Sequence, residues 1–314
     1  MSAATFRIQP TGNLGNQMMQ LMLGHSLRSK VPDLDIVGYD MPLWDLRSGP
    51  EPEPRTKTKP VELRGHLIDI HGVASLVKAG LLRDMKLVGI GSRMANYLPP
   101  SAYQGLFPPG QAEVERHGDD ELLISVRGAE ILGQCHPDYG PVPPAYYRQL
   151  ARETGKRPVL FGQIEDDWYS KLLIEAMPDA RVVRSGGILA DFERLRGARH
   201  VVTSVSSFAW LATWLSAAET IHVPVLGLLN PAQRPDVDLL PLDDPRYRFY
   251  RFPVRLWNGQ QEDVDGLKRD AEYPLMSRDE VAEMLRKADA ATRGERFEVA
   301  AKTVVKGVLG RLRG

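Results

Sequence analysis

The stretch Leu122-Leu123-Ile124-Ser125-Val126-Arg127 decides how this chain is read. A short, almost unbroken apolar run closed by an arginine suits a strand buried on both faces. Working outward from it, the same pattern recurs. Strands are expected at 122–126, 158–162, 181–183, 200–204 and 220–225, with helices near 145–154, 168–177, 189–196 and 208–217 between them. Strands and helices alternating at this spacing imply a parallel sheet covered by helices on both faces. Ligands of such sheets sit beyond the carboxyl ends of the strands. Arg127 and the cluster Ser204, Ser206 and Ser207 both follow expected strands, so they should share one rim.

Toward the N-terminus, a β-like alternation over 5–9 leads into Gly12-Asn13-Leu14-Gly15-Asn16-Gln17, and then Met18, Leu21, Met22, His25 and Leu27 recur at helical spacing. The order is strand, glycine turn, helix. A chain of 314 residues exceeds one ordinary core and suits two lobes. The proline-rich run from Leu98-Pro99-Pro100 to Phe107-Pro108-Pro109-Gly110 reads as the join between them. The expected organisation is α/β throughout, with a first Rossmann-like lobe over 1–117, a second over 118–275 and a helical extension over 276–314. The proline- and charge-rich segment 49–60 reads as an exposed loop.

Composition excludes several classes. Hydrophobic residues make up 43% and charged residues 25%, a globular profile. Forty basic residues balance forty acidic ones, so no global field draws the chain to nucleic acid. The single cysteine, Cys135, permits neither an intrachain disulfide nor a cysteine-based zinc site and fits a reducing compartment. Neither a signal sequence nor a run long enough to span a bilayer is found, so a cytoplasmic protein is expected. The last segment places Ala301, Val304, Val305, Val308 and Leu312 among Lys302, Lys306, Arg311 and Arg313. That is a basic amphipathic helix, suited to docking on the body of the protein or to weak contact with a membrane.

Three stretches carry chemistry. Gly12 and Gly15 let the backbone approach a ligand closely, and the following helix turns its amide end toward an anion; Asn13, Asn16 and Gln17 add neutral hydrogen-bonding groups. Arg127 offers a fork suited to a diphosphate, with Glu130 three residues on as its orienting partner or as a base. Ser204, Ser206 and Ser207 lie at a strand-to-helix turn before Phe208, and their hydroxyls with free amides form a second anion cradle. A third glycine and a strand-ending acid are missing, which disfavours a nicotinamide enzyme. The Asp-x-Asp pairs 33/35, 236/238 and 263/265 sit in loop-like settings and are not read as metal ligands, and the histidines show no metal-ligand spacing.

As a set, these stretches, together with Asp191-Phe192-Glu193-Arg194-Leu195, resemble the bacterial alpha-1,2-fucosyltransferases and, more distantly, the protein O-fucosyltransferases. The resemblance spans residues 12 to about 214. It implies a GT-B type fold of two Rossmann-like domains and an inverting transfer from a GDP-linked sugar, fucose in that family, to a glycan hydroxyl in surface polysaccharide synthesis, with no metal or other cofactor required. Carried over by position, Arg127 binds the donor diphosphate and the glycine turn closes over it. Ser206, Ser207 and Phe208 line the nucleotide pocket, and Asp191 holds the base or its surroundings. His136-Pro137-Asp138-Tyr139-Gly140 resembles the acceptor-side loop, with Asp138 and His136 as further candidate bases. The chain departs from the family at Ser125, Gly128 and Val205, where a histidine, a second arginine and an asparagine are usual. Those losses motivate a second expectation, a member that binds a nucleotide sugar or glycan without turnover.

Overall fold

Strand β1 (Thr5–Ile8) is the inner strand from which the first half of the chain is built. In the computed structural model, the residues described are 4–49, 59–110, 114–133 and 136–313. Cys135 and residues 50–58 of the expected loop at 49–60 therefore lie outside the described residues. After β1 come α1 (Leu14–Lys30), β2 (Asp35–Val37), a short antiparallel pair β3 (Asp40–Met41) and β4 (Leu46–Arg47), then β5 (Val61–Gly65), α2 (Ile70–Lys78) and β6 (Asp84–Gly89). Among the described residues, the sheet runs β2-β1-β6-β5 and every pairing in it is parallel. Helix α1 contains no β-branched residue, so nothing in it resists helical χ1 angles. Met18, Met19, Leu21, Met22, Leu23 and Leu27 are all fully buried, and the helix stops at Val31, before Pro32.

The second half holds the repeating pattern read from the sequence. It comprises β7 (Glu121–Val126), α3 (Pro144–Thr154), β8 (Arg157–Gly162), α4 (Trp168–Ala176), β9 (Arg181–Arg184), α5 (Ile188–Gly197), β10 (His200–Val202), α6 (Ser207–Trp214) and β11 (Thr220–Val225). A further strand, β12 (Tyr247–Arg251), and helices α7 (Gln261–Leu267), α8 (Arg278–Ala291) and α9 (Arg293–Arg313) complete it. Among the described residues the sheet order is β12-β11-β10-β7-β8-β9, parallel throughout. Every residue of β7 is buried, as a central strand between two helix layers requires. Trp210 stacks on Trp214 with ring centres 5.3 Å apart in the core of this half.

Two compact units result, and both are Rossmann-like α/β folds built on a parallel sheet. The first comprises Met1–Pro108, Asp236–Leu239 and Asp289–Gly314, and the second Pro109–Pro235 and Leu240–Ala288. This division differs from segments 1–117, 118–275 and 276–314 because the chain returns. Most of α8 stays with the second unit, while α9 packs on β5 and α2 of the first, so no separate helical extension forms. A Cβ at Gly307 of α9 would lie 3.0 Å from the Leu81 carbonyl, the sign of close backbone approach. Among the described residues, no helix is long and apolar enough to cross a membrane.

His222 on β11 is buried beside Tyr250, with Nδ1 3.1 Å from its hydroxyl. Burial, reinforced by the nearby Arg248, lowers its pKa from the ordinary 6.5 to about 3. The unfolded chain takes up a proton near 6.5 and the folded chain only near 3, so stability is full above 6.5 and is lost as pH falls toward 3. The contribution at pH 4 is about 3 kcal/mol against folding relative to pH 7. Urea midpoints across that range should fall less steeply for His222→Gln than for the native chain, and parallel curves would refute this role.

Candidate functional site

In the second sheet the chain leaves β7 for β8 and β9 on one side and returns to β10, β11 and β12 on the other. The order reverses between β7 and β10, and at such a point the loops part and open a crevice beyond the carboxyl ends. Arg127 directly follows β7, and Ser204 to Ser206 follow β10. The sheet order thus brings together two of the three stretches singled out above, with Arg127 and Ser206 79 positions apart in the sequence.

Their geometry is specific. Arg127 Nη1 donates to Ser206 Oγ at 3.2 Å, and Nη2 donates to Glu130 Oε1 at 2.5 Å. Among the described residues Nε of Arg127 is buried without a hydrogen-bond partner, which leaves one strong donor of the fork unused. Glu130, nearly half exposed, also accepts from Gln163 Nε2 at 3.4 Å, and Gln163 Oε1 accepts from the Gly128 amide at 3.1 Å. The carboxylate therefore orients the arginine. Between them Ala129 takes the left-handed conformation, φ 49°, a backbone cost that holds this turn in one shape. Beneath, Ser125 Oγ and Ser204 Oγ are buried 3.1 Å apart. Ser206 caps α6 with a long bond from the Ala209 amide, 3.5 Å, and Ser207 opens that helix.

The other expected site residues lie as follows. Asp191 accepts from Ser185 Oγ at 2.5 Å and from the Gly186 amide at 2.9 Å, so its carboxylate shapes the turn before α5. Phe208 meets Phe192 edge-on at 5.5 Å. Asp138 is buried and bound by Gln233 Nε2 at 2.8 Å and Arg234 Nη1 at 3.2 Å, while His136 Nδ1 accepts from the Asp138 amide at 3.2 Å. Asp263, of the third Asp-x-Asp pair, is engaged in the capping box of α7. The glycine turn belongs to the first unit. Gly12 there adopts φ 70°, Gln17 Nε2 donates to the Gly12 carbonyl at 3.0 Å, and Asn13 leads into α1 without a side-chain cap. Asn16 and Gly15 fall in the first turn of that helix. Gln20, not foreseen, is fully buried and ties the turn to the end of β6 by donating to the Gln9 and Gly89 carbonyls at 2.9 and 2.6 Å.

A pocket of about 450 Å³ opens at the carboxyl ends of β11 and β12, lined by Gly227, Phe252, Trp257, Tyr273, Arg251 and Arg269 among others. It continues the serine turn, since a Cβ at Gly227 would stand 3.4 Å from Val205 Cγ1. Trp257 is buried and donates to the Gly133 carbonyl at 3.2 Å, and the Arg255 guanidinium lies 5.4 Å from its ring centre. These residues are absent from the sequence-based expectation. The signal for them was the alternation in Tyr247-Arg248-Phe249-Tyr250-Arg251, a strand ended by Phe252-Pro253.

No protein-family model matches the chain, and no curated protein matches it. Among solved structures, it is similar to the ADP-heptose LPS heptosyltransferase II of E. coli, at 13% identity and TM-score 0.39, over 84% of this chain and 98% of that one. It is also similar to a family 9 glycosyl transferase from Veillonella parvula, at 10% identity and TM-score 0.43, over 92% and 98% of the two chains. A third is the iron-containing dodecameric glycosyltransferase TibC of enterotoxigenic E. coli, at 12% identity and TM-score 0.42, over 81% and 64%. Likenesses this low carry no inference about the activity of this chain. The fucosyltransferase kinship does not stand: these structures are named for heptosyltransferase and other glycosyltransferase activities, and no family model supports it. The divergent positions have physical roles of their own. Ser125 is a buried partner of Ser204, a Cβ at Gly128 would stand 3.0 Å from the Gln163 carbonyl, and Val205 is buried.

Proposed function

We propose that this chain is a glycosyltransferase that takes a sugar from a nucleoside diphosphate donor and passes it to a hydroxyl of a glycan. The observation that carries the reading is the Arg127–Ser206 pair at the switch point, with the buried Nε of Arg127 unsatisfied. A guanidinium fork, a hydroxyl and the amide end of α6 converge on one place, which is the donor set a diphosphate needs. The neighbouring pocket takes the nucleoside. Its volume falls within the range of small-molecule sites, and Trp257, Phe252 and Tyr273 supply apolar faces for a base.

In the reaction, the acceptor oxygen bonds to the anomeric carbon as the bond from that carbon to the diphosphate oxygen breaks, and a single displacement inverts the centre. Negative charge grows on the departing diphosphate, where Arg127 stabilises it. The acceptor hydroxyl loses its proton to a base. Glu130 holds Arg127 in this scheme, and Asp138, bound by Gln233 and Arg234, keeps the turn before the pocket in place.

Thermal unfolding in the presence of GDP, UDP, ADP, CMP and TDP tests this reading. One nucleoside diphosphate at about a hundred times its dissociation constant adds roughly 2.7 kcal/mol to stability and raises the midpoint by several degrees. Equal midpoints with all five at millimolar concentration would contradict it.

A further inference from the structure

Helix α9 is packed on one side only. Thr303 is buried and Gly307 lies against Leu81, yet Phe297, Val304, Val305, Val308 and Leu309 are 76%, 41%, 56%, 38% and 45% exposed. With about 100° of rotation per residue, these five fall within an arc of about 140°, separate from the arc of Thr303 and Gly307. Apart from Val304 at its edge, the exposed apolar stripe therefore belongs to neither the core nor the packing seam. Beside it, between α2 and α9, an apolar groove of about 240 Å³ is lined by Leu63, Ile68, Val73, Leu76, Val299 and Val304.

Charge selects what covers the stripe. Helix α9 carries six basic residues against two acidic ones, in a chain whose total charge is zero. Lys302 and Lys306 are exposed along one border of the stripe, and Lys302 is paired there with Glu298. A second copy seated face to face would bring two such basic helices together, which like charges oppose. An anionic bilayer offers the complementary field and an apolar layer to receive Phe297.

We propose that α9 seats this protein on anionic lipid, with Phe297, Val305 and their neighbours entering the boundary between headgroups and acyl chains and the lysines lying over the phosphates. This stands apart from the donor site and does not depend on it. The full chain should sediment with vesicles of phosphatidylcholine and phosphatidylserine, much less with phosphatidylcholine alone, and less as salt rises. Phe297→Asp/Val305→Asp should weaken binding roughly tenfold or more, and Lys302→Gln/Lys306→Gln roughly fivefold per charge removed. Because all four side chains are exposed, both variants should melt like the native chain. Three results would overturn the proposal: no sedimentation of the native chain with anionic vesicles at low salt, equal binding by the Phe297/Val305 variant, or a native dimer that this variant dissociates without any vesicle binding.

Discussion

Arg127→Ala is expected to weaken nucleoside diphosphate binding by a factor of roughly ten to a hundred, the worth of one or two hydrogen bonds to a charged group. In a transfer assay, turnover should fall further, by about two to three orders of magnitude, since charge on the leaving diphosphate peaks in the transition state. Stability should hardly change. The guanidinium is held by one hydroxyl and one carboxylate, and that carboxylate is nearly half exposed, so water takes over when the arginine goes. Arg127→Lys separates two explanations. It keeps the charge and loses the fork, so it should behave much like alanine if two-point recognition matters and nearly like the native chain if charge alone does. Titration calorimetry beside urea denaturation reads both quantities. Native-like binding by the alanine variant would remove Arg127 from the site.

Gly227→Ala is expected to cost roughly 2–4 kcal/mol of stability and to abolish nucleotide binding together with it. Gly227 adopts φ 55°, and a Cβ there would stand 2.2 Å from the Asp138 carbonyl oxygen. That carbonyl cannot move aside cheaply, because Gln233 and Arg234 grip the carboxylate of the same residue. Relief would have to come from the segment after β11, which lines the pocket. Gly155→Ala provides the comparison. Gly155 has a similar φ of 63° with nothing within 4 Å of its Cβ position, so only the backbone preference is lost, about 1 kcal/mol. Equal midpoints for the two variants in denaturant would show that the contact with Asp138 is not a constraint.

Much of the second unit was legible because its strands are short runs buried on both faces and its helices are amphipathic. Each follows from local sequence. Strand β12 was not read, although Tyr247 and Phe249 point inward in alternation, because its spacing from β11 is filled by the long segment 226–246. The return of α9 to the first unit was also hidden, since it depends on Gly307 meeting Leu81, far away in sequence. For the site, residue types at strand ends were readable, but the meeting of Arg127 with Ser206 needs the sheet order, which periodicity does not encode. The family resemblance failed for a related reason. Glycines, an arginine and serines at the carboxyl ends of strands recur wherever a parallel sheet binds an anion, so their order along the chain does not fix the family. Asp191 illustrates the point: an acid near a helix start served to staple Ser185 and Gly186.

The most direct test is a crystal structure of the chain with the nucleoside diphosphate that stabilises it most. The diphosphate should lie within hydrogen-bonding distance of the Arg127 guanidinium and the Ser206 hydroxyl, with the base in the pocket beside Trp257 and Tyr273. Diphosphate bound elsewhere, with Arg127 still engaged only by Ser206 and Glu130, would contradict the account.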